Sequence, residues 1–250
     1  MNQARLRQTQ IRIGCAGWAI PKQCASSFPL SGSHLERYAQ RFTAVEINSS
    51  FHRPHRRATY ERWAAAVPAG FAFAVKAPRD ITHGHRLAGA DAALDAFLGQ
   101  VTGLGDRLGP LLFQLPPSLG FDPPAAGRFF AALRVRFDGV AVCEPRHADW
   151  FTATAENLMT AFRISRAAAD PPRVRAAAEP GGWDGLHYFR LHGSPRPYYS
   201  QYPSDYLVRL AQRLVCAGHL AWCIFDNTAA GAATANALTL QERIGTLSPL

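Results

Sequence analysis

Three observations predict that this 250-residue chain folds as a single TIM-like (β/α)8 barrel. Short apolar runs alternate with stretches of helical period from one end to the other, the signature of a mostly parallel sheet. Most of those runs break at their C-terminal ends into polar clusters, where a parallel barrel carries its working side chains. The length is typical of such a barrel, and no G-x-G-x-x-G follows the first strand to suggest an open dinucleotide-binding sheet.

The elements follow in order. Residues 1–10 (MNQARLRQTQ) form a polar tail, and 11–245 form the barrel domain. IRIGCAG (11–17) is the first strand, with Gly14 and Gly17 allowing close backbone approach or a turn. Ser33 with Glu36 three residues on is a capping box that opens helix HLERYAQRF. The second strand is 43–48, and helix 57–66 stops before Pro68. The third strand is 71–76, followed by helix 91–103. The fourth is 110–115, followed by helix 123–134, whose opening Pro123-Pro124 suits a first helical turn. The fifth is 139–144, with helix 152–162. The sixth unit is irregular: FRISRAAAD (162–170) reads as a strand, but PPRVRAAAEPGGWDG holds no clear helix, so a loop is expected in its place. The seventh strand is 186–191 with helix 203–217, and the eighth is 220–226 with helix 230–243.

Composition narrows the classes. Hydrophobic residues make up 48% of the chain, enough for a full core. No apolar stretch approaches the ~20 residues that span a bilayer. The polar N-terminus lacks the apolar centre of a secretory signal, so a cytoplasmic location is expected. Five cysteines without a C-x-x-C pair argue against a disulfide framework or a zinc knuckle. The net charge of +9 favours anionic partners, unless it serves solubility alone. Only Lys22 and Lys76 are lysines among 27 basic residues. Lysine offers what arginine cannot, a nucleophilic amine whose pKa burial can lower.

Strand alternation sorts the rim residues. Val45 and Ile47 share one face, and Glu46 and Asn48 the other. The same parity groups Lys76 with Ala74, Gln114 with Leu112, Glu144 and Arg146 with Val142, Arg190 and His192 with Tyr188, and Asp226 with Ile224. The apolar phase is expected to face the helices and the polar phase the barrel axis.

The rim charges are mixed. Lys76, Arg79, Arg146 and Arg190 oppose Glu46, Glu144 and Asp226, with Asp170 as a further acid. A hard-cation cage wants carboxylates with little positive competition. A softer site of His83, His147 or His192 with Glu144 is the residual metal reading, unsupported by H-x-H or H-E-x-x-H spacing, and no cofactor is expected. Arg79, Arg146 and Arg190 could clamp an anion from three strand ends, or else pair with Glu46 and Glu144. Lys76 could form a Schiff base, act as a general base, or pair with a glutamate; with a glutamate close by, pairing leads. Glu46 and Glu144 are the candidate acid/base pair across the barrel, with His192 as an alternative proton shuttle. Trp18, Trp150, Tyr198 and Tyr199 follow strand ends and could stack a sugar or base.

The motifs GCAGW (14–18), VEINSSFHR (45–53), FAVKAPRDITH (73–83), LGPLLFQLPPS (108–118), CEPRHADW (143–150), FRLHGS (189–194) and FDNTAAGAATANA (225–237) resemble the YecE-like family (domain of unknown function 72). The resemblance implies a TIM-like barrel and no established activity. It carries over to Glu46, Asn48, Lys76, Arg79, His83, Gln114, Glu144, Arg146, His147, Arg190, His192 and Asn227. The chain departs from the pattern after Trp18, in the shortened sixth unit, and at Asp226, where Asn is more usual.

The functional expectation is an enzyme, an isomerase, lyase or hydrolase, acting on a small anionic or polyhydroxylated molecule. Glu46, Lys76, Glu144 and His192 are the candidate catalytic residues. Asn48, Arg79, Gln114, Arg146, His147, Arg190, Asp226 and Asn227 are the candidate binding residues. The alternatives are a nucleic-acid-acting protein and a non-catalytic ligand-binding barrel. The sequence gives no reading of oligomeric state.

Overall fold

The computed structural model describes residues 11–217 and 220–247, so the polar tail expected at 1–10 lies outside it. Among the described residues, ten strands form two sheets. Strands β1 (Ile11–Cys15), β2 (Ala44–Ile47), β3 (Ala72–Lys76), β4 (Leu108–Gln114) and β5 (Ala141–Glu144) all fall where the apolar runs place them. So do β9 (His187–Leu191) and β10 (Ala221–Phe225). The sixth strand is bent into two halves, β6 (Ile164–Arg166) and β7 (Ala168–Asp170). After it comes a single 3-10 turn, Arg175–Ala178, and a two-residue strand, β8 (Gly181–Gly182), instead of a helix. Pro171, Pro172 and the Gly181-Gly182 pair offer that segment little helical propensity.

The sheet orders are β1-β10-β9-β7 and β2-β3-β4-β5-β6-β8. Every pairing is parallel except the short β6–β8 contact. Among the described residues, the backbones of the two sheets join at two places. Ala16 bridges in parallel to Glu46, and the Gly17 amide donates to the Glu46 carbonyl at 2.9 Å. On the far side the Ala167 amide donates to the Cys143 carbonyl at 2.9 Å, so segment 164–170 pairs with β5 in its first half and with β9 in its second. The fold is thus mixed α/β with parallel-dominated sheets.

Among the described residues, six α-helices lie between strands and a seventh follows the last: α1 (His34–Ala39), α2 (Arg57–Ala65), α3 (Asp91–Val101), α4 (Pro123–Arg136), α5 (Ala153–Ala161), α6 (Ser204–Ala217) and α7 (Ala232–Leu247). Ser33 and Glu36 form the expected capping box on α1. Asp122 and Thr152 cap α4 and α5 through the amides of Ala125 and Ala155. Among the described residues no helix is long and apolar enough to cross a membrane.

Strand parity divides the interior into two cores. Val45, Ile47, Phe73, Val75, Leu111, Phe113, Cys143, Phe189 and Phe225 pack against helix residues such as Tyr38, Phe97, Phe130 and Leu240. The opposite parity forms a second cluster from both sheets, with Ala44, Ala74, Leu112 and Val142 meeting Tyr188, Trp222 and Ile224. Each fully buried large apolar side chain contributes about 1.5–3 kcal/mol. The second cluster therefore supports the polar layer above it on the same strand faces.

The β1–β2 contact depends on close approach. A Cβ on Gly14 would collide with the Ala44 carbonyl oxygen, and that oxygen also accepts from the Tyr38 hydroxyl at 3.1 Å. The same hydroxyl accepts from the Cys15 amide at 2.8 Å. Gly14→Ala is expected to destabilise the fold by about 1–3 kcal/mol, the usual cost of overpacking, read as a lower midpoint in urea unfolding.

Candidate functional site

The polar layer lies at the C-terminal ends of the parallel strands. Parity puts Glu46, Lys76, Gln114, Glu144 and Arg190 on the face that carries the second core. Arg146, His192 and Asp226 follow one or two residues after their strands end.

Arg190 is the centre of the cluster and is completely buried. Glu46 grips it bidentately, with Oε1 2.6 Å from Nη2 and Oε2 3.0 Å from Nε. Glu144 Oε2 accepts from Nη1 at 2.7 Å, and Asp226 Oδ2 from Nη2 at 3.1 Å. The Tyr188 hydroxyl completes Glu46 at 2.8 Å. Tyr188 shares the parity of Arg190, and that alternation was the one signal in the chain that could have marked it. One guanidinium thus joins the ends of four strands drawn from both sheets.

A second layer sits on this hub. His192 Nδ1 lies 2.9 Å from Asp226 Oδ2, and its Nε2 lies 3.0 Å from Glu144 Oε1. Arg146 Nη2 lies 2.5 Å from that same Glu144 oxygen and 2.8 Å from His192 Nε2. A neutral ring with its proton on Nδ1 donates to Asp226 and accepts from Arg146 at Nε2.

Electrostatics follow from these contacts. Burial opposes ionisation of Glu144, but the charges of Arg146, Arg190 and His192 outweigh it and hold the carboxyl well below the usual range. Asp226 is likewise depressed: burial pushes it up, and Arg190 and the His192 hydrogen bond pull it further down. Burial disfavours the Arg190 cation, yet Glu46, Glu144 and Asp226 raise its pKa well above normal.

Lys76 departs from the leading expectation. Among the described residues no carboxylate forms an ion pair with it, while Arg190 pairs with Glu46, Glu144 and Asp226 and Arg146 with Glu144. Its Nζ lies instead over the Phe51 ring, 4.1 Å from the centroid. Burial, reinforced by the charge of Arg190 and only partly offset by the three acids, lowers its pKa to about 8. Phe51 stands in a 3-10 turn just past β2, where no periodicity in the sequence announces it.

The remaining candidates divide. Asn48 is half-buried at the rim, with an Oδ1 that no described residue satisfies. Gln114 donates to the Leu115 carbonyl at 3.2 Å. Asn227 is fully buried and serves the loop behind the site, donating to the Ser200 carbonyl and to Asn236 Oδ1, both at 2.9 Å. His147 caps the turn Ala148–Phe151 by accepting from the Asp149 amide. The three-arginine clamp does not assemble. Arg190 is sealed beneath the carboxylates, and Arg79 is exposed on the turn after β3. Arg146 is half-buried beside Glu144 and His192, with its Nε lacking a partner among the described residues. Glu46 accepts three hydrogen bonds and is wholly buried, so it has the environment of an anchor. Of the rim aromatics, Trp18 packs on Trp63 and Phe73, and Trp150 is buried. Tyr198 meets the edge of His192 with ring centroids 5.9 Å apart. Among the described residues no group of three or more His, Cys, Asp or Glu has the arrangement to hold a metal ion.

A family model described as "Protein of unknown function DUF72" matches residues 12–249. The chain belongs to the DUF72 family. It is 30% identical over 175 residues to UPF0759 protein YecE of Escherichia coli (strain K12), covering 67% of this chain and 61% of that relative's length. UPF0759 protein YunF of Bacillus subtilis (strain 168) is 30% identical over 114 residues, 43% of this chain and 40% of the relative. A DUF72 family protein from Enterococcus faecalis V583 has a similar structure, with a TM-score of 0.79, 19% identity, and coverage of 94% and 95% of the two chains. One from Thermotoga maritima MSB8 gives 0.74 at 20% identity, covering 93% and 98%. At these identities the structural likeness bears on the fold alone.

Two outcomes are expected of the hub. Arg190→Leu leaves buried carboxylates uncompensated and costs about 3–5 kcal/mol, measured by chemical denaturation at pH 7. The wild-type protein also loses stability in acid. Glu144 and Asp226 have depressed folded pKa values, so their contribution is complete above their ordinary values of 4.5 and 3.8 and is lost as pH falls through the lower folded values. Unfolding free energy followed from pH 7 to pH 2 checks that sign.

Proposed function

We propose that this DUF72 protein is an enzyme that works on a small anionic or polyhydroxylated molecule at the C-terminal mouth of a closed (β/α)8 barrel spanning residues 11–245. Closure is supported by the Ala16–Glu46 bridge and by the sharing of segment 164–170 between the two sheets. The observation that carries the enzymatic reading is a buried lysine that makes no ion pair, beside an ion network centred on Arg190. A structural lysine at such a place is normally held as an ion pair, because burying an unpaired ammonium is costly. A lysine whose pKa is drawn to about 8 instead suits proton transfer near neutral pH.

Roles follow from what each group has free. Lys76 exchanges a proton with the substrate. His192, between Asp226 and Glu144, passes protons at the mouth. Arg146 offers its unpartnered Nε to the substrate's anionic group, and Asn48 offers an unpartnered carbonyl oxygen to a hydroxyl. Glu46 and Arg190 hold the geometry.

The reading makes an unusual stability prediction. The ammonium form of Lys76 is disfavoured in the fold, so its penalty is complete below pH 8 and fades as pH rises from about 8 towards the ordinary 10.5. Lys76→Met is therefore expected to stabilise the protein at pH 7 by roughly 1–3 kcal/mol. Wild type is expected to respond to small anions or sugar phosphates in thermal-shift screening, and the same variant to lose that response. A destabilised variant that keeps its ligand response would give Lys76 a purely structural role and sink the reading.

A further inference from the structure

We propose that Lys76 is a nucleophilic amine that forms a Schiff base with the carbonyl carbon of a small aldehyde or ketone bearing an anionic group. This rests on the enzymatic reading above and names its substrate class.

The geometry provides what the step requires. The amine must reach the substrate with its lone pair free, and a carboxylate partner would hold it as an ammonium ion. Among the described residues none of the cluster's acids forms an ion pair with Lys76: Arg190 engages Glu46, Glu144 and Asp226, and Arg146 engages Glu144. The face of Phe51 lies against Nζ and keeps that side of the amine out of water. Lys76 ends β3 on the face it shares with Glu46, Glu144 and Arg190, so it points to the mouth and not to the helices. An arginine there could keep the charge but could not attack a carbonyl. In a chain with two lysines among 27 basic residues, this position holds one of the two.

The step balances as follows. The ammonium first releases a proton to solvent. The Nζ lone pair attacks the carbonyl carbon, a C–N bond forms, and the C=O π pair moves to oxygen, which takes up a proton. Nitrogen sheds one proton, and the resulting carbinolamine receives another on its hydroxyl. The C–O bond then breaks, water leaves, and the nitrogen lone pair completes a protonated imine. His192 at the mouth is placed to carry these protons, with Asp226 on Nδ1 and Glu144 and Arg146 on Nε2. Arg146 Nε holds the substrate's anionic group. An amine with a pKa of about 8 is roughly 10% neutral at pH 7, against less than ~0.1% for an ordinary lysine.

Reductive trapping tests this. The full chain is incubated at pH 7 with sodium cyanoborohydride and, separately, glyoxylate, pyruvate or dihydroxyacetone phosphate. Peptide mass mapping then assigns the secondary amine to Lys76 or to Lys22, which is exposed and serves as internal control. At least about tenfold more adduct on Lys76 than on Lys22 is expected with one of the probes. Its yield should level off above about pH 8 while that of Lys22 goes on rising. Lys76→Arg should leave labelling of Lys22 unchanged. Thermal shifts with the carbonyl-free counterparts glycolate, lactate and glycerol 3-phosphate separate the two readings. If these stabilise the protein and Lys76 stays unlabelled, the Schiff base is wrong and the enzymatic mouth stands. Equal labelling of both lysines, with no stabilisation by any probe or counterpart, overturns both.

Discussion

A completely buried arginine governs this structure. Taking a guanidinium and three carboxylates out of water costs several kcal/mol per ion, and only close and complete pairing offsets that cost. Arg190 meets the requirement with a bidentate Glu46, a single oxygen each from Glu144 and Asp226, and hydrogen bonds no longer than 3.1 Å. These acids stand on β2, on β5 and just beyond β10, while Arg190 comes from β9. Their mutual geometry therefore sets the relative stagger of strands that belong to two sheets. The apolar layer below, with Tyr188, Trp222 and Leu112, gives the hub a dry floor. Tyr188 joins the two layers, since its ring packs in the lower one and its hydroxyl donates to Glu46.

The properties of the mouth follow from this pairing. The cluster holds three acids, and the contacts they make are with Arg190, Arg146, His192 and Tyr188 and not with Lys76. At Lys76 burial and the like charge of Arg190 disfavour the ammonium form, and the attraction of the three acids offsets them only in part. Phe51 supplies a cation–π contact, weaker than an ion pair and compatible with a neutral amine. Strong pairing in the hub and weak pairing at Lys76 are thus two aspects of one distribution of charge.

Strand parity made much of this legible in the sequence. Side chains alternate across a strand whatever lies on either side, so Glu46, Lys76, Glu144 and Arg190 could be assigned to one face before any contact was known. The choice of partner was not legible. Lys76 and Arg190 carry the same charge, and only their heights and reach in three dimensions decide which one the acids hold. Parity also fails where a strand ends. Arg79 leads into the turn Asp80–Gly84 and His147 into Ala148–Phe151, so neither follows the alternation of the strand before it. Asn227 is drawn away by Ser200 and Asn236, partners far from it in sequence or on a helix. Phe51 lies in a turn for which the chain offers no periodic signal.

Charge balance connects the hub to the chemistry proposed for Lys76. With a neutral amine, the acids Glu46, Glu144 and Asp226 outnumber Arg146 and Arg190, and the mouth has an excess of negative field. Those acids attract positive charge at Nζ, whereas burial and Arg190 oppose it. A protonated imine changes the terms of that competition. Its charge is spread over carbon and nitrogen, it gives up less hydration than an ammonium ion, and it still feels the attraction of the acids. In the proposed chemistry such a field would be better matched to the protonated imine than to the ammonium, and the ion pairs of the hub orient it in advance. That differential, favouring the intermediate over the ground state, is what accelerates a reaction. In the chemistry proposed for Lys76, that differential depends on Arg190 holding the acids in place.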